Sequence, residues 1–416
     1  MKEGFAVMEI ESVSLNFKIF SDSIVEFVDN LSANTIIMSI MMIFMLAGAV
    51  DMIRGNKLGY GKEFEKGIEL IAPLVLVIAS VIAVSPLLSK IILMIFGGIF
   101  SFVGIDVSTI PAVILGPDLG GYYIAMELAE SEDIGNFSGL IISSVLGPTI
   151  SFTIPIIFSK VYKKDYAVIS AGILVGLLTV PIGCILGGLS MNAVGYVMPI
   201  KTIMVNCVPA ISLTIFIIFG ICIFPISLIK WFTILGKGIT VIITALLAVA
   251  IFQQVTGIKL PYLYIMSVPQ ENTGITGLDS GLLVAGQIGI VLAGALPMLL
   301  WLNRVLQGPV KRMGNAIGLD KKESIAFIAS LANVIPSISM LNEMSNKGKF
   351  INAAFIVTGG AVLGDFIGFT ASVNYKMIIP MLIGKATAGI ATLILANILA
   401  PKIIPIFTSR LSEQLL

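Results

Sequence analysis

The sequence predicts an all-α polytopic membrane protein with about ten transmembrane helices and two re-entrant, broken-helix hairpins, arranged as two inverted-topology repeats. Three observations predict it. Of 416 residues, 57% are hydrophobic and only 12% are charged, and mean hydropathy is +1.04; this is too little charge to cover a water-facing surface. The apolar residues fall in runs of about twenty, enough to cross a hydrocarbon core of about 30 Å. One nonapeptide also occurs twice: VLGPTISFT at 145–153 returns as VLGDFIGFT at 362–370, with Gly147 matching Gly364, Phe152 matching Phe369 and Asp365 standing where the first copy has Pro148.

The elements follow in chain order. No uninterrupted apolar stretch follows Lys2, so residues 1–33 do not read as a signal peptide. Phe17, Phe20, Ile24, Phe27 and Leu31 recur there at helical spacing with Asp22, Glu26 and Asp29 between them, which predicts an amphipathic helix at the membrane interface or against the bundle. Crossings are expected at 34–53, 67–88, 89–104, 136–160, 167–189, 203–229, 236–256, 281–303, 350–373 and 377–400. Residues 110–130 and 324–344 are apolar but broken in the middle, by GPDLGG and LANVIP. Each limb is about ten residues, or about 15 Å of helix, which is half a bilayer. Non-helical backbone at that depth is tolerated only inside protein or beside a water-filled cavity.

The two hairpins resemble each other. Each follows a Gly-x-Asp (Gly104–Asp106, Gly318–Asp320), each outgoing limb carries a glutamate (Glu127, Glu343), and each precedes a copy of the repeated nonapeptide. The chain therefore divides into 1–33, a first repeat at 34–200, a second at 201–400 and a cytoplasmic tail at 401–416. Loop charge, with its excess of Lys and Arg inside, places both termini in the cytoplasm of a bacterial inner membrane. One loop objects, because Arg54, Lys57, Lys62 and Lys66 then face outward.

Net charge is +1 and histidine is absent, so neither a nucleic-acid partner nor imidazole chemistry is indicated. Cys184, Cys207 and Cys222 sit in apolar runs at no metal-binding spacing, and no hydrolase or nucleotide-binding motif is present. No cofactor, metal or catalytic residue is expected. Ionisable groups at membrane depth are then the functional candidates: Asp118 at the first hairpin break, Glu127, Glu343, Asp365 and Lys385. Four acids against one base favour a cation. Tyr122, Tyr123, Phe152 and Phe369 offer ring faces to an ammonium group, and Asn333 at the second break offers a donor and an acceptor. Blander readings stand beside these: Asp365 paired structurally with Lys385, Asp118 as a helix cap, and Glu127 and Glu343 solvated at the interface.

The segments IIMSIMMIFMLAGAVDMI (36–53), DLGGYYIAMELAE (118–130), GPTISFTIPI (147–156), VPIGCILGGL (180–189), SLANVIP (330–336) and LGDFIGFTASVNYKMIIPMLIGK (363–385) resemble the ethanolamine transport proteins of bacterial ethanolamine-utilisation operons, the EutH type. The resemblance implies a permease whose partners are ethanolamine and the lipid bilayer. Paired-hairpin transporters are often homodimers, which adds that expectation. On the charge argument, Asp118 and Asp365 draw in the ammonium, Asn333 and Glu127 assist, Tyr122 and Phe369 flank the carbons, and Lys385 tunes Asp365. The alternatives are a Na⁺- or H⁺-coupled carrier of another small amine or amino acid, a channel, and an integral membrane enzyme acting on lipid head groups.

Overall fold

A backbone in hydrocarbon has no water to bond, so it must bond to itself. In the computed structural model, which describes residues 18–29, 31–269 and 274–415, every regular element among the described residues is helical. The elements are α1 (18–29), α2 (Ala33–Ile53), α3 (Tyr60–Glu69), α4 (Ile71–Val103), a first pair of short limbs α5 (Thr109–Ile114) and α6 (Gly121–Leu128), α7 (Glu132–Lys160), α8 (Lys163–Val194), α9 (Ile200–Ile223), α10 (Pro225–Thr256) and α11 (Gly277–Ala316). A second pair of limbs follows, α12 (Lys321–Ala332) and α13 (Val334–Met340), then α14 (Asn346–Thr358), α15 (Asp365–Asn374) and α16 (Ile378–Leu415).

Eight helical stretches among the described residues are long and apolar enough to span a membrane. The sequence reading of ten differs at two places. Residues 67–88 and 89–104 form one rod, because Pro86 does not break α4. The 350–373 crossing is interrupted between α14 and α15, where residues 359–364 leave the helix. The tail at 401–416 continues α16 as helix through Leu415. Phe17 lies outside the described residues; α1 is helical as expected, with Phe20, Ile24, Phe27 and Leu31 all exposed.

Hydrogen bonds sort the ends of these helices onto two faces. On one, Asn34 at the start of α2 donates to the Lys376 carbonyl at 2.9 Å and accepts from the Ile379 amide at the start of α16. Asn374, at the end of α15, donates to Tyr196 and Asn136 there. On the other, Arg304 donates to the Leu58 carbonyl at 2.7 Å and lies over the Tyr60 ring, Asn342 donates to the Lys160 carbonyl, Lys322 pairs with Glu343 and Lys349 pairs with Asp165. This second face collects Arg54, Lys57, Lys62 and Lys66 together with Arg304, so the loop at 54–59 and α3 belong with the basic loops and not opposite them. Asn34 and the C-terminal end of α16 fall on opposite faces, because α16 starts beside Asn34 and crosses; the N-terminus itself lies outside the described residues.

Packing between long helices runs through small residues, as close backbone approach in a bilayer requires. Gly172 and Gly176 of α8 lie on the Phe350 and Ala354 carbonyls of α14, while Gly183 and Gly187 lie on Gly384 of α16. Gly67 of α3 lies on Ala293 of α11. A buried ion pair, Lys349 to Asp165 at 2.7 Å, closes the α8–α14 seam at the basic face.

Candidate functional site

Both broken stretches are re-entrant, and side chains staple their bases. In the first, Asp106 accepts from the Ser108 amide and, across the base, from the Glu130 amide at 2.9 Å. In the second, Asp320 caps α12 by accepting from the Glu323 amide, and Glu323 accepts from the amide and hydroxyl of Ser345. The first hairpin enters from the face of Asn34 and the second from the basic face, so their tips approach from opposite sides.

Each tip is seated on its own copy of the repeated nonapeptide. A Cβ on Gly147 would collide with the Leu115 carbonyl, and one on Gly364 with the Ala332 carbonyl; both pairs are 32 residues apart. Around Gly147 the helix widens into π turns at Phe137–Ile142 and Thr149–Thr153, and Ser143 donates to the Leu115 carbonyl at 2.6 Å. Around Gly364 the helix opens completely. The Ala361 and Leu363 amides are satisfied by the Ser330 and Leu331 carbonyls of the second tip, which are carbonyls that α12 leaves free at its end.

This geometry brings distant residues together. Asp365, at the first position of α15, accepts from the Asn333 side-chain amide at 2.9 Å, while the Asn333 oxygen caps α13 by accepting from the Ile335 amide. A cavity of about 400 Å³ reaches from Asn333, Asp365 and Asp118 past Leu292 and Phe369 to Glu63, Lys66 and Asn303 near the basic face. A smaller cavity of about 90 Å³ lies behind, with Asp118 and Asp365 also in its wall together with Lys385, Phe152, Pro148 and Phe366. Lys385 is buried, donates to the Ser144 carbonyl at 2.7 Å and sits 4.2 Å from the Phe366 ring centre. Behind Phe369 stand Tyr122 and Tyr123, with ring centres 6.1 and 6.2 Å away in edge-on contact.

The model of the family "Ethanolamine utilisation protein, EutH" matches residues 33–399. The chain belongs to the EutH family. It is 39% identical over 360 residues to a protein of Listeria monocytogenes serotype 1/2a (strain 10403S) named probable ethanolamine permease EutH, covering 86% of this chain and 92% of that protein. It is 33% identical over 393 residues to the protein of the same name from Escherichia coli (strain K12), covering 89% and 96%. A Bacillus subtilis (strain 168) relative, the uncharacterized protein YxeR, is 33% identical over 371 residues. No solved structure matches the chain. The family match begins at the first residue of α2, so α1 stands outside it.

Within this EutH-family bundle the residues singled out from sequence are only partly gathered. Asp118, Asp365, Asn333 and Phe369 line the large cavity, and Lys385 lines the small one. Tyr122 is buried one layer back, behind Phe369. Glu127 is set apart: two turns beyond the tip on α6, its side chain is exposed and lines neither cavity. Glu343 is likewise at the base of the second hairpin, paired with Lys322. No ion pair joins Lys385 to Asp365 among the described residues; Lys385 is turned to Ser144 and Phe366 instead. The cavity wall adds Glu63, Lys66 and Asn303, which the sequence reading did not single out. Their signal was present: Tyr60, Phe64 and Ile68 at helical spacing mark α3 as an amphipathic helix, and a Glu–Lys pair at i,i+3 lies on it with 3.6 Å between Glu63 and Lys66.

Proposed function

We propose that this chain carries ethanolamine, as the protonated amine, across the bacterial inner membrane by alternating access, with Asp118 and Asp365 receiving the ammonium group. The single observation that carries the reading is the placing of those two carboxylates, one from each half of the chain, in one cavity at the hairpin tips. Two acids in a low-dielectric wall attract a small cation and not an anion. Asn333 orients the Asp365 carboxylate and Phe369 covers the carbon chain. The relatives' names, probable ethanolamine permease, supply the substrate.

The two halves, 34–200 and 201–400, act as inverted repeats, with each hairpin gating its own side. The basic face is cytoplasmic by the positive-inside rule, so the large cavity is the inward-open pathway and Glu63 and Lys66 stand at its mouth. An inside-negative potential drives a cation inward with about 2.3 kcal/mol per charge per 100 mV, so a facilitator suffices.

Uptake of labelled ethanolamine into proteoliposomes tests this, with wild type beside Asp365→Asn and with or without an imposed inside-negative potential. Saturable uptake that rises with the potential and is lost in the variant is expected. No uptake by wild type under any gradient refutes the substrate assignment. An equally active variant removes Asp365 from the site while keeping the substrate.

A further inference from the structure

Lys385 is the unusual group at this site. It is a lysine at membrane depth, 2% exposed, and three N–H donors are available on its ammonium. The protein gives it one backbone acceptor, Ser144, and one ring face, Phe366. No carboxylate lies within ion-pair distance among the described residues. A structural lysine is normally paired, as Lys349 is to Asp165 in this same molecule. Lys385 instead shares the wall of the small cavity with both Asp118 and Asp365, and these three are the charged residues in that wall.

A count of charge gives this arrangement a meaning. With both carboxylates ionised, Lys385 protonated, and Glu63 and Lys66 of the large cavity cancelling each other as an ion pair, the empty site carries −1. One bound monocation brings it to zero. Without the lysine the empty site would carry −2, and two positive charges would be needed for neutrality. Burying uncompensated charge costs several kcal/mol per ion, so the site binds best whatever cation cancels it.

We propose that Lys385 is the specificity-determining residue that sets this site to accept one positive charge and not two: a resident cation, fixed by Ser144 and Phe366, that discriminates a monoammonium substrate from a short diammonium one. The inference rests on the assignment of the Asp118–Asp365 cavity as the substrate site. The hydroxyl end of an amino alcohol then occupies the place where a second ammonium would meet the Lys385 charge.

The test is calorimetric binding to the purified full chain in detergent at neutral pH, with ethanolamine and 1,3-diaminopropane as ligands, both fully protonated. Wild type is expected to favour ethanolamine by about tenfold or more. Lys385→Met is expected to reverse that order. The double variant Asp118→Asn/Lys385→Met restores the net charge of −1 and is expected to restore the preference for ethanolamine. An unchanged preference in Lys385→Met overturns the proposal. If Lys385→Met binds neither ligand, the double variant decides. Recovered ethanolamine binding supports the charge count, and continued loss overturns it by making Lys385 a packing residue. Failure of wild type to bind ethanolamine refutes the substrate assignment itself, an outcome distinct from any of these.

Discussion

At the scale of single residues, the proposed site holds one hydrogen bond that orients a carboxylate. Asn333 holds Asp365 with its amide nitrogen and its own helix with its amide oxygen. A hydrogen bond to a charged group contributes about 1.5–3 kcal/mol, so Asn333→Leu is expected to raise the KM for ethanolamine uptake by roughly tenfold or more. Asn333→Asp keeps an acceptor for the Ile335 amide but sets a second carboxylate against Asp365, and it is expected to impair uptake at least as much. Initial-rate uptake over a range of ethanolamine concentrations separates these from wild type. Phe369 is a poorer probe: it is fully packed between the cavity and two tyrosines, and truncating such a side chain to alanine costs about 3–5 kcal/mol of stability regardless of substrate.

At the scale of elements, the hairpins are seated by absent side chains. Gly147 and Gly364 touch the tip carbonyls of Leu115 and Ala332 so closely that any Cβ must displace a hairpin. Overpacking of this kind costs about 1–3 kcal/mol. Gly147→Ala and Gly364→Ala are therefore each expected to lower the thermal midpoint in detergent and to impair uptake. Gly286→Ala in α11, where nothing lies within 4 Å, is expected to leave both unchanged or to raise stability slightly through better helix propensity. Equal damage at all three positions would show that the tip contacts are not special. Both copies of the VLG motif thus end in a glycine that a hairpin-tip carbonyl touches.

At the scale of the whole molecule, orientation and the joint between the halves can be tested. Cysteines placed at Lys57 and Lys259, both exposed, in a background lacking Cys184, Cys207 and Cys222 report the two faces. A membrane-impermeant maleimide applied to intact cells is expected to label position 259 and spare position 57. The reverse result would turn the cavity outward. The Lys349–Asp165 pair, with both side chains 7% exposed, links α8 to α14. Removing one partner of such a pair costs about 3–5 kcal/mol, so Lys349→Met is expected to destabilise the protein strongly. The double replacement Asp165→Leu/Lys349→Met is expected to recover much of that loss, as followed by thermal unfolding.

The sequence by itself determined the class of protein, because hydropathy depends on composition and needs no partner: about 30 Å of hydrocarbon must be matched by apolar helix wherever it falls in the chain. It also determined the two hairpins, whose breaks are local in GPDLGG and LANVIP, and it marked Asp118 and Asp365 as candidates by their charge at membrane depth. Only the tertiary structure decided which charges meet. Asn333 and Asp365 are 32 residues apart and Lys385 and Ser144 are 241 apart, and no local pattern encodes such a contact. For the same reason the sequence offered Glu127 as an assisting residue although it stands two helical turns from the tip, and the basic loop at 54–66 reads as misplaced in sequence although Arg304 bonds to Leu58. Sidedness and site membership are both long-range properties, fixed by which helix ends pack together and not by the residues of any one helix.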